Sequence, residues 1–350
     1  MTVISSPNAA QMPSGLLGLL VQDSAAIQSR VTTTSQQAST GLVAQTYGGL
    51  GAQAQVSLNL RPELAQVDVY AQNITTASTQ MDSTNQVLGQ LEQIASQFRT
   101  SELGVSTDTA QEVDTLASQA SAALTQVQSL LNTKVGDKYI FAGQDSANPP
   151  LPDTQFNAYV ASIRTAMGGL AAGTGAATVA ATLAAATTNS PFSTTLGTTP
   201  ETASVGVGVT VPVGVVAGQN AYVSQTGPNT TGSYVRDLIR SLATIAAMNS
   251  SQTTLGADFT TVVSNTQSSL ASQVVAISNE QAGIGAAQQT LTNTQTALGD
   301  TKTALTTQIS AVENVDAAST ATALTQAQTQ LQISYKIISS MQTMSLVSFL

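Results

Sequence analysis

The 350-residue chain has no cysteine, no histidine and no tryptophan, and only 8% of it is charged, against about 25% in an ordinary globular domain. Each absence removes a class of chemistry. Without Cys or His there is no thiolate nucleophile, no Ser-His-Asp triad, no zinc site built on Cys or His ligands and no c-type haem attachment. Aromatic residues make up 4% of the chain, and a core of this length ordinarily draws on more large side chains. The chain therefore reads as an extended molecule with thin, Ala-rich helix contacts. Its net charge is −9 and its pI about 4.3, with the ten basic residues scattered. That argues against a nucleic-acid partner, because phosphate binding needs clustered Lys and Arg. No run of about 18 apolar residues occurs, so no membrane span is expected. No basic residue precedes the short apolar run Leu16–Val21, so no cleaved secretory signal is expected either.

What is present is a beat. Leu270, Ile277, Ile284, Leu291, Leu298, Leu305 and Val312 follow one another at seven-residue intervals, over roughly 60 Å of helix at 1.5 Å per residue. The positions between them, where a coiled coil wants a second apolar residue, hold Val274, Gln281, Gln288, Gln295, Lys302 and Ile309. Half of the seam is wet, and a buried Gln is costly unless it finds a partner. The polar half is read as facing neighbouring subunits of a polymer, with solvent exposure on a two-helix rod as the alternative.

Around this helix the chain divides into helices, a Gly/Pro/Thr-rich insert, and helices again. Residues 1–45 form an N-terminal assembly arm: a flexible start, then a helix from Ser14 with Leu20, Ile27, Val31 and Ala38 on one face, ending at Gly41. Residues 46–135 are rod helices. They open with a turn at Tyr47–Ala52 and an alternating run, Gln55–Leu60, that reads as a short strand. Pro62 suits the first residue of a helix. A second rod helix begins at the capping-box pattern Thr109-Ala-Gln-Glu112. Residues 136–232 are the β-rich, low-complexity insert. Within it lie a short helix at 154–167, an Ala/Thr tract at 173–187, and valines at every second position from 205 to 215 that signal an edge strand or hairpin. Residues 233–315 are rod helices and 316–350 a C-terminal assembly helix, with a bend between Val312 and Ala317. The fold class is mainly α: an elongated antiparallel, coiled-coil-like rod of N- and C-terminal arms, with the β-containing insert at its far end.

Residues that could carry chemistry are better explained by structure. Gly48-Gly-Leu-Gly51 lacks the lysine of a phosphate loop, and Gly283-Ile-Gly285 sits inside the heptad run. Asp108, Glu112 and Asp114 suit helix caps. Asp137, Asp145 and Asp153 lack calcium-loop spacing. No catalytic, cofactor-binding or metal residue is assigned and no enzyme is expected.

The C-terminal stretch "LTQAQTQLQISYKIISSMQTMSLVSFL", Leu324–Leu350, resembles the end of the bacterial flagellin and hook-associated protein type 3 family. There a leucine-heptad helix carries an LQ-x-SY element, here Leu331–Tyr335, and ends in a serine-leucine hydrophobic tail, here Met344–Leu350. The Met341–Leu346 part leans toward the hook-associated branch. A second match is Gly136-Asp-Lys-Tyr-Ile-Phe-Ala-Gly143 followed by Asn148-Pro-Pro-Leu151, similar to the element that leads from rod to outer domain in hook-associated proteins. The N-terminal arm departs from the family pattern at Ser39–Gly51, where only Thr40-Gly41-Leu42 fits.

The resemblance implies a structural component of the extracellular flagellum that joins hook to filament, with flagellin, the bulk filament subunit, as the alternative. A secreted adhesin or a type III translocator is a more distant reading of the same Ala/Thr/Gln composition. It implies export without a cleaved signal through the flagellar type III apparatus, and assembly with itself and other axial proteins. It implies an export chaperone docking on the C-terminal helix. The expected assembly residues are the heptad Leu270–Val312 together with Leu324, Leu331, Tyr335, Ile338, Met341, Leu346, Phe349 and Leu350.

Overall fold

The structure, a computed structural model, describes residues 12–105 and 110–347, and the side chains of 18–101 and 111–341. The chain divides into two compact units, one of residues 1–68 and 299–350, the other of residues 69–298. The elements in chain order are α1 (Met12–Thr40), a 3-10 turn (Tyr47–Gln53), α2 (Ala54–Val105), α3 (Ala110–Leu131), β1 (Lys134–Val135), β2 (Lys138–Tyr139), α4 (Asp153–Met167), α5 (Gly175–Thr188), β3 (Glu201–Gly206), β4 (Val209–Val213), α6 (Tyr234–Ile245), α7 (Ala257–Glu313) and α8 (Ala317–Val347). The fold is mainly α with N- and C-terminal helical arms and two small antiparallel hairpins.

Two local expectations are corrected. Residues 55–60 are the opening turns of α2, not a strand. The residue facing inward there is Ser57, fully buried, while Val56 and Leu58 point outward. The apolar alternation thus misled, because the contact is made through a small hydroxyl at helical spacing. Pro62 lies inside α2 rather than at its start. Its missing N–H leaves the Leu58 carbonyl without its helical donor, and Pro62 is exposed, so water can serve that oxygen.

The larger unit is organised around α6, in which every residue but Arg236 is buried. Ser233 caps it by accepting the N–H of Arg236. A helix enclosed on all sides ordinarily carries no charge, yet Asp237 and Arg240 sit in this one, paired at 3.3 Å. The pair is supported all round: Asp237 also accepts from Thr230 Oγ1 and the N–H of Thr231, and Arg240 Nη2 donates to the Asn229 carbonyl at 3.0 Å and to Ser269 Oγ at 3.1 Å. Leu88, Leu91, Val127, Tyr159, Ile163, Leu270 and Ile277, from α2, α3, α4 and α7, join the buried side chains of α6 in one hydrophobic cluster.

The segment between Gly136 and Gly232 holds two helices as well as its hairpins. The Ala/Thr tract forms α5, in keeping with the helix propensity of alanine. The Asp258 carboxylate holds the start of α5 by accepting the N–H groups of Gly173 at 2.7 Å and Gly175 at 2.9 Å. Those two donors hold its pKa below the usual carboxylate value. The valine alternation forms the expected hairpin, β3 against β4 with Ala203 opposite Val211 and an irregularity between Ser204 and Gly206. Val205, Val211 and Val213 face in, and Val207 and Val209 face out.

After β4 the chain crosses α7 as a strap without secondary structure, residues 214–233. Glu280 of α7 is fully buried beneath it and accepts the consecutive N–H groups of Ala221, Tyr222 and Val223. Burial raises its pKa above the usual range despite those donors. Beside it the Tyr222 ring lies where a Cβ on Gly283 would stand, 2.1 Å from Tyr222 Cγ. The heptad glycine is therefore a packing device. Gly283→Ala should lower stability by roughly 1–3 kcal/mol through forced overpacking. Gly285→Ala, which meets nothing within 4 Å, should be neutral or stabilising by up to about 1 kcal/mol through helix propensity. Paired thermal melts followed by circular dichroism decide this, and equal effects would show that the strap does not rest on Gly283.

Candidate assembly surface

The heptad residues fall largely inside the chain's own packing. Leu270, Ile277, Ile284 and Leu291 are buried in the core of the larger unit, and Leu298 is partly buried against it. In the smaller unit Leu305 is buried and Val312 half-buried. Three of the four polar positions of the seam also find partners at home, which corrects the reading of those three as facing other subunits. With its amide oriented to satisfy both atoms, Gln281 donates to Glu92 Oε2 at 3.1 Å and accepts the Gly89 N–H at 3.2 Å, both on α2, and Gln288 Nε2 donates to Asp82 at 2.7 Å. In the smaller unit Lys302 pairs with Asp68 at 2.7 Å. Gln295 is exposed. A polar coiled-coil position specifies register at some cost in stability, and these pairs have that form.

In the smaller unit α1 and α8 run antiparallel, with Leu42 bridged to Asn314 and the Ser24 and Ser334 hydroxyls bonded to each other at 2.5 Å. The inward face of α1 reads Leu20, Ser24, Ile27, Val31, Thr34, Gln37. That of α8 reads Thr320, Leu324, Ala327, Leu331, Ser334, Ile338, Met341. Both keep three- and four-residue spacing, and half of the positions are polar or small. Ala38, expected on the inward face of α1, is exposed.

The links beside this pair are tied together by hydrogen bonds. Val43 N donates to the Glu313 carbonyl at 2.8 Å and Val315 N to the Gly41 carbonyl at 2.9 Å. The bend expected after Val312 is found there, and Asp316 caps α8 by accepting the N–H of Ser319 at 2.8 Å. The Glu313 carboxylate is held by Arg61 in a two-pronged contact at 2.9 and 2.6 Å and by the Ser57 hydroxyl. These bonds hold its pKa below the ordinary 4.5.

The exterior of the pair is unusual. Ile333, Tyr335 and Ile337 of α8 and Leu19 and Val21 of α1 are exposed, Ile333 by 54% and Leu19 by 60%. The sole charged residue between Ala317 and Val347 is Lys336. A solvated helix face normally carries many more charges. Among the expected contact residues, Leu324, Leu331, Ile338 and Met341 face α1 and are half-buried, whereas Tyr335 is half exposed on another side. The Leu346 side chain, Phe349 and Leu350 lie outside the described residues. Ile333 and Ile337 were missed because they sit off the heptad. Their signal was available, since two isoleucines four apart on a nearly uncharged helix make a second apolar stripe.

The second sequence element folds as a tight corner. Gly143 has a positive φ of 59°, and a Cβ there would stand 2.6 Å from the Thr199 carbonyl oxygen. Ile140, Phe141 and Leu151 are buried, and the Asn132 amide holds Leu151 from both sides, accepting its N–H at 3.0 Å and donating to its carbonyl at 2.9 Å. Among the described residues no group of three or more acidic side chains could hold a metal ion, and no helix is long and apolar enough to cross a membrane.

Terminal helices that pair with each other and keep an apolar, nearly uncharged exterior define a subunit built to pack against others. The comparisons agree. The family model for the bacterial flagellin N-terminal helical region matches residues 20–146, and that for the C-terminal helical region matches residues 268–350. The chain belongs to the bacterial flagellin family and is a structural component of the extracellular flagellum that assembles with other axial subunits. Its fold is similar to a solved structure assigned to a flagellar hook-associated protein from Vibrio parahaemolyticus, at 13% identity and a TM-score of 0.54, covering 74% of this chain and 96% of that one. No curated protein matches the sequence.

The clamp at Glu313 has a definite pH dependence. Its carboxyl titrates lower in the fold than in an unfolded chain, so its contribution is complete above the ordinary 4.5 and is lost as pH falls through the lowered folded value. Because the Arg61 side chain is 53% exposed, solvent limits the contribution to about 1 kcal/mol or less. Glu313→Gln should therefore melt below the wild type at pH 7 and merge with it in acid. A gap that widened in acid would reverse the assignment.

Proposed function

We propose that this protein is a hook-associated protein that joins the flagellar hook to the filament. The observation that carries this reading is the similarity to the Vibrio parahaemolyticus hook-associated structure, which this chain covers over 96% of that protein's length. The Met341-Gln-Thr-Met-Ser-Leu346 element, of the hook-associated type, supports it as well. Bulk flagellin is the second reading, supported by the matches to the flagellin N- and C-terminal helical regions.

In this role the segment 136–232 acts as an outer insert that can vary while the arms make the contacts. The residues that contact other subunits are proposed to be the exposed Tyr335, Ile333 and Ile337, together with the end of α8 and the tail Leu346–Leu350. Before assembly the same apolar side of α8 offers an amphipathic surface to an export chaperone, a helix-in-groove mode of recognition. The heptad Leu270–Val312 serves assembly indirectly, by shaping the subunit that presents these contacts.

Immunogold labelling of intact flagella tests the choice of role. Label confined to the boundary between hook and filament is the expected result. Label along the whole filament would make the protein a flagellin.

A further inference from the structure

Among the described residues two carboxylates are fully buried, Asp237 and Glu280, and both hold the strap. Asp237 accepts from Thr230 Oγ1 and the Thr231 N–H, late in the strap, and is paired with Arg240. Glu280 holds the earlier part. Its Oε1 accepts the N–H groups of Ala221 at 2.8 Å, Tyr222 at 3.1 Å and Val223 at 3.3 Å, and its Oε2 lies 3.1 Å from the same Tyr222 nitrogen.

The two sites differ in one respect. No Lys or Arg among the described residues pairs with Glu280. The titratable groups coupled to it are Tyr222 of the strap and Tyr234 of α6. Burial pushes both hydroxyls up, so both are neutral wherever a carboxyl titrates. Toward α2, Glu92 is engaged by Gln281, the residue after Glu280, and brings no positive charge. The charge on Glu280 is therefore met by backbone dipoles alone. Three amides favour the ionised form, but enclosure without a cation opposes it more strongly.

Opening the strap over Glu280 removes both effects and returns the carboxyl to water, where it titrates near 4.5. The closed strap thus binds the proton more tightly than the open one. By linkage, closure strengthens as pH falls from the raised value toward 4.5 and weakens as pH rises through that window. One heptad before Glu280 on α7, Gln273 Oε1 accepts from Gln225 Nε2 at 3.0 Å. That contact has nothing to titrate, so the dependence is confined to the segment 221–223.

We propose that Glu280 makes residues 221–223 a proton-linked latch on α7. With the carboxyl protonated the latch is shut most firmly. As the carboxyl ionises, the segment opens more often and Tyr222 leaves its seat over Gly283.

The test uses the full-length wild type and Glu280→Gln, which keeps the size and an acceptor oxygen but has no proton to titrate. Amide exchange of Ala221, Tyr222 and Val223 is followed by NMR from about pH 4.5 upward. Dividing the wild-type rate by the variant's at each pH cancels the intrinsic effect of pH on exchange. The ratio should rise with pH, by up to about tenfold per unit, as the Glu280 carboxyl carbon titrates in 13C spectra of the same samples. The Thr231 amide, bonded to Asp237, should show no such rise. The Tyr222-to-Thr231 exchange ratio within the wild type gives the same reading without the variant. A flat ratio in both comparisons, or a Glu280 midpoint at or below 4.5, would overturn the proposal.

Discussion

The α1–α8 seam is built on small and polar side chains at about half of its inward positions. Its central pair is two serine hydroxyls rather than two leucines. Its large apolar side chains are few and mostly half-buried. Burying one such side chain fully stabilises by about 1.5–3 kcal/mol, while each residue ordered into a helix costs about 1–2 kcal/mol of backbone entropy. Most helical stability in proteins comes from packing an apolar face, and here each helix has one thin stripe packed and a second left uncovered. The pair is thus poorly stabilised by itself and well disposed to further packing. In the proposed role, neighbouring subunits supply what is missing by covering the exposed Ile333, Tyr335 and Ile337.

The larger unit solves its packing within one chain. It encloses α6 and the Asp237–Arg240 pair, satisfied by the strap and by α7. A buried ion pair seldom adds net stability, but breaking one is costly because it strands a charge. The strap is held just as specifically, by Glu280 through three successive N–H groups and by the seat that Gly283 leaves for Tyr222. Along α7 the polar positions act as register marks, Gln281 toward Gly89 and Glu92 and Gln288 toward Asp82. A slip of one heptad would carry Gln288 to Thr75 or Gly89 and leave the exposed Asp82 to solvent.

Much of this was legible in the sequence. Helix spacing located α1, α3, α4, α6, α7 and α8, valine alternation located β3 and β4, and the C-terminal element identified the family. The errors have a common physical form. Val56 and Leu58 looked like one face of a strand because the inward residue of that helix is a serine whose partner, Glu313, is far along the chain. Gln288 looked like a contact between subunits because Asp82 is equally remote in sequence. Glu280 and Gly283 looked unremarkable because their partners are backbone groups and a ring on the strap, which carries no periodic signal. Periodicity reports which face of an element is apolar. It is silent about a polar residue whose partner is fixed only by the tertiary fold.

Hydrogen exchange on the purified, unassembled subunit tests the central claim most directly. Amides in the middle of α6, enclosed on every side, should be protected to the level of global unfolding. Those of α1 between Val21 and Thr40 and of α8 between Ala317 and Met341 should exchange orders of magnitude faster and gain protection on assembly. Protection of α1 and α8 equal to that of α6 in the isolated subunit would contradict the account, because it would mean that the half-polar seam is sufficient without neighbours.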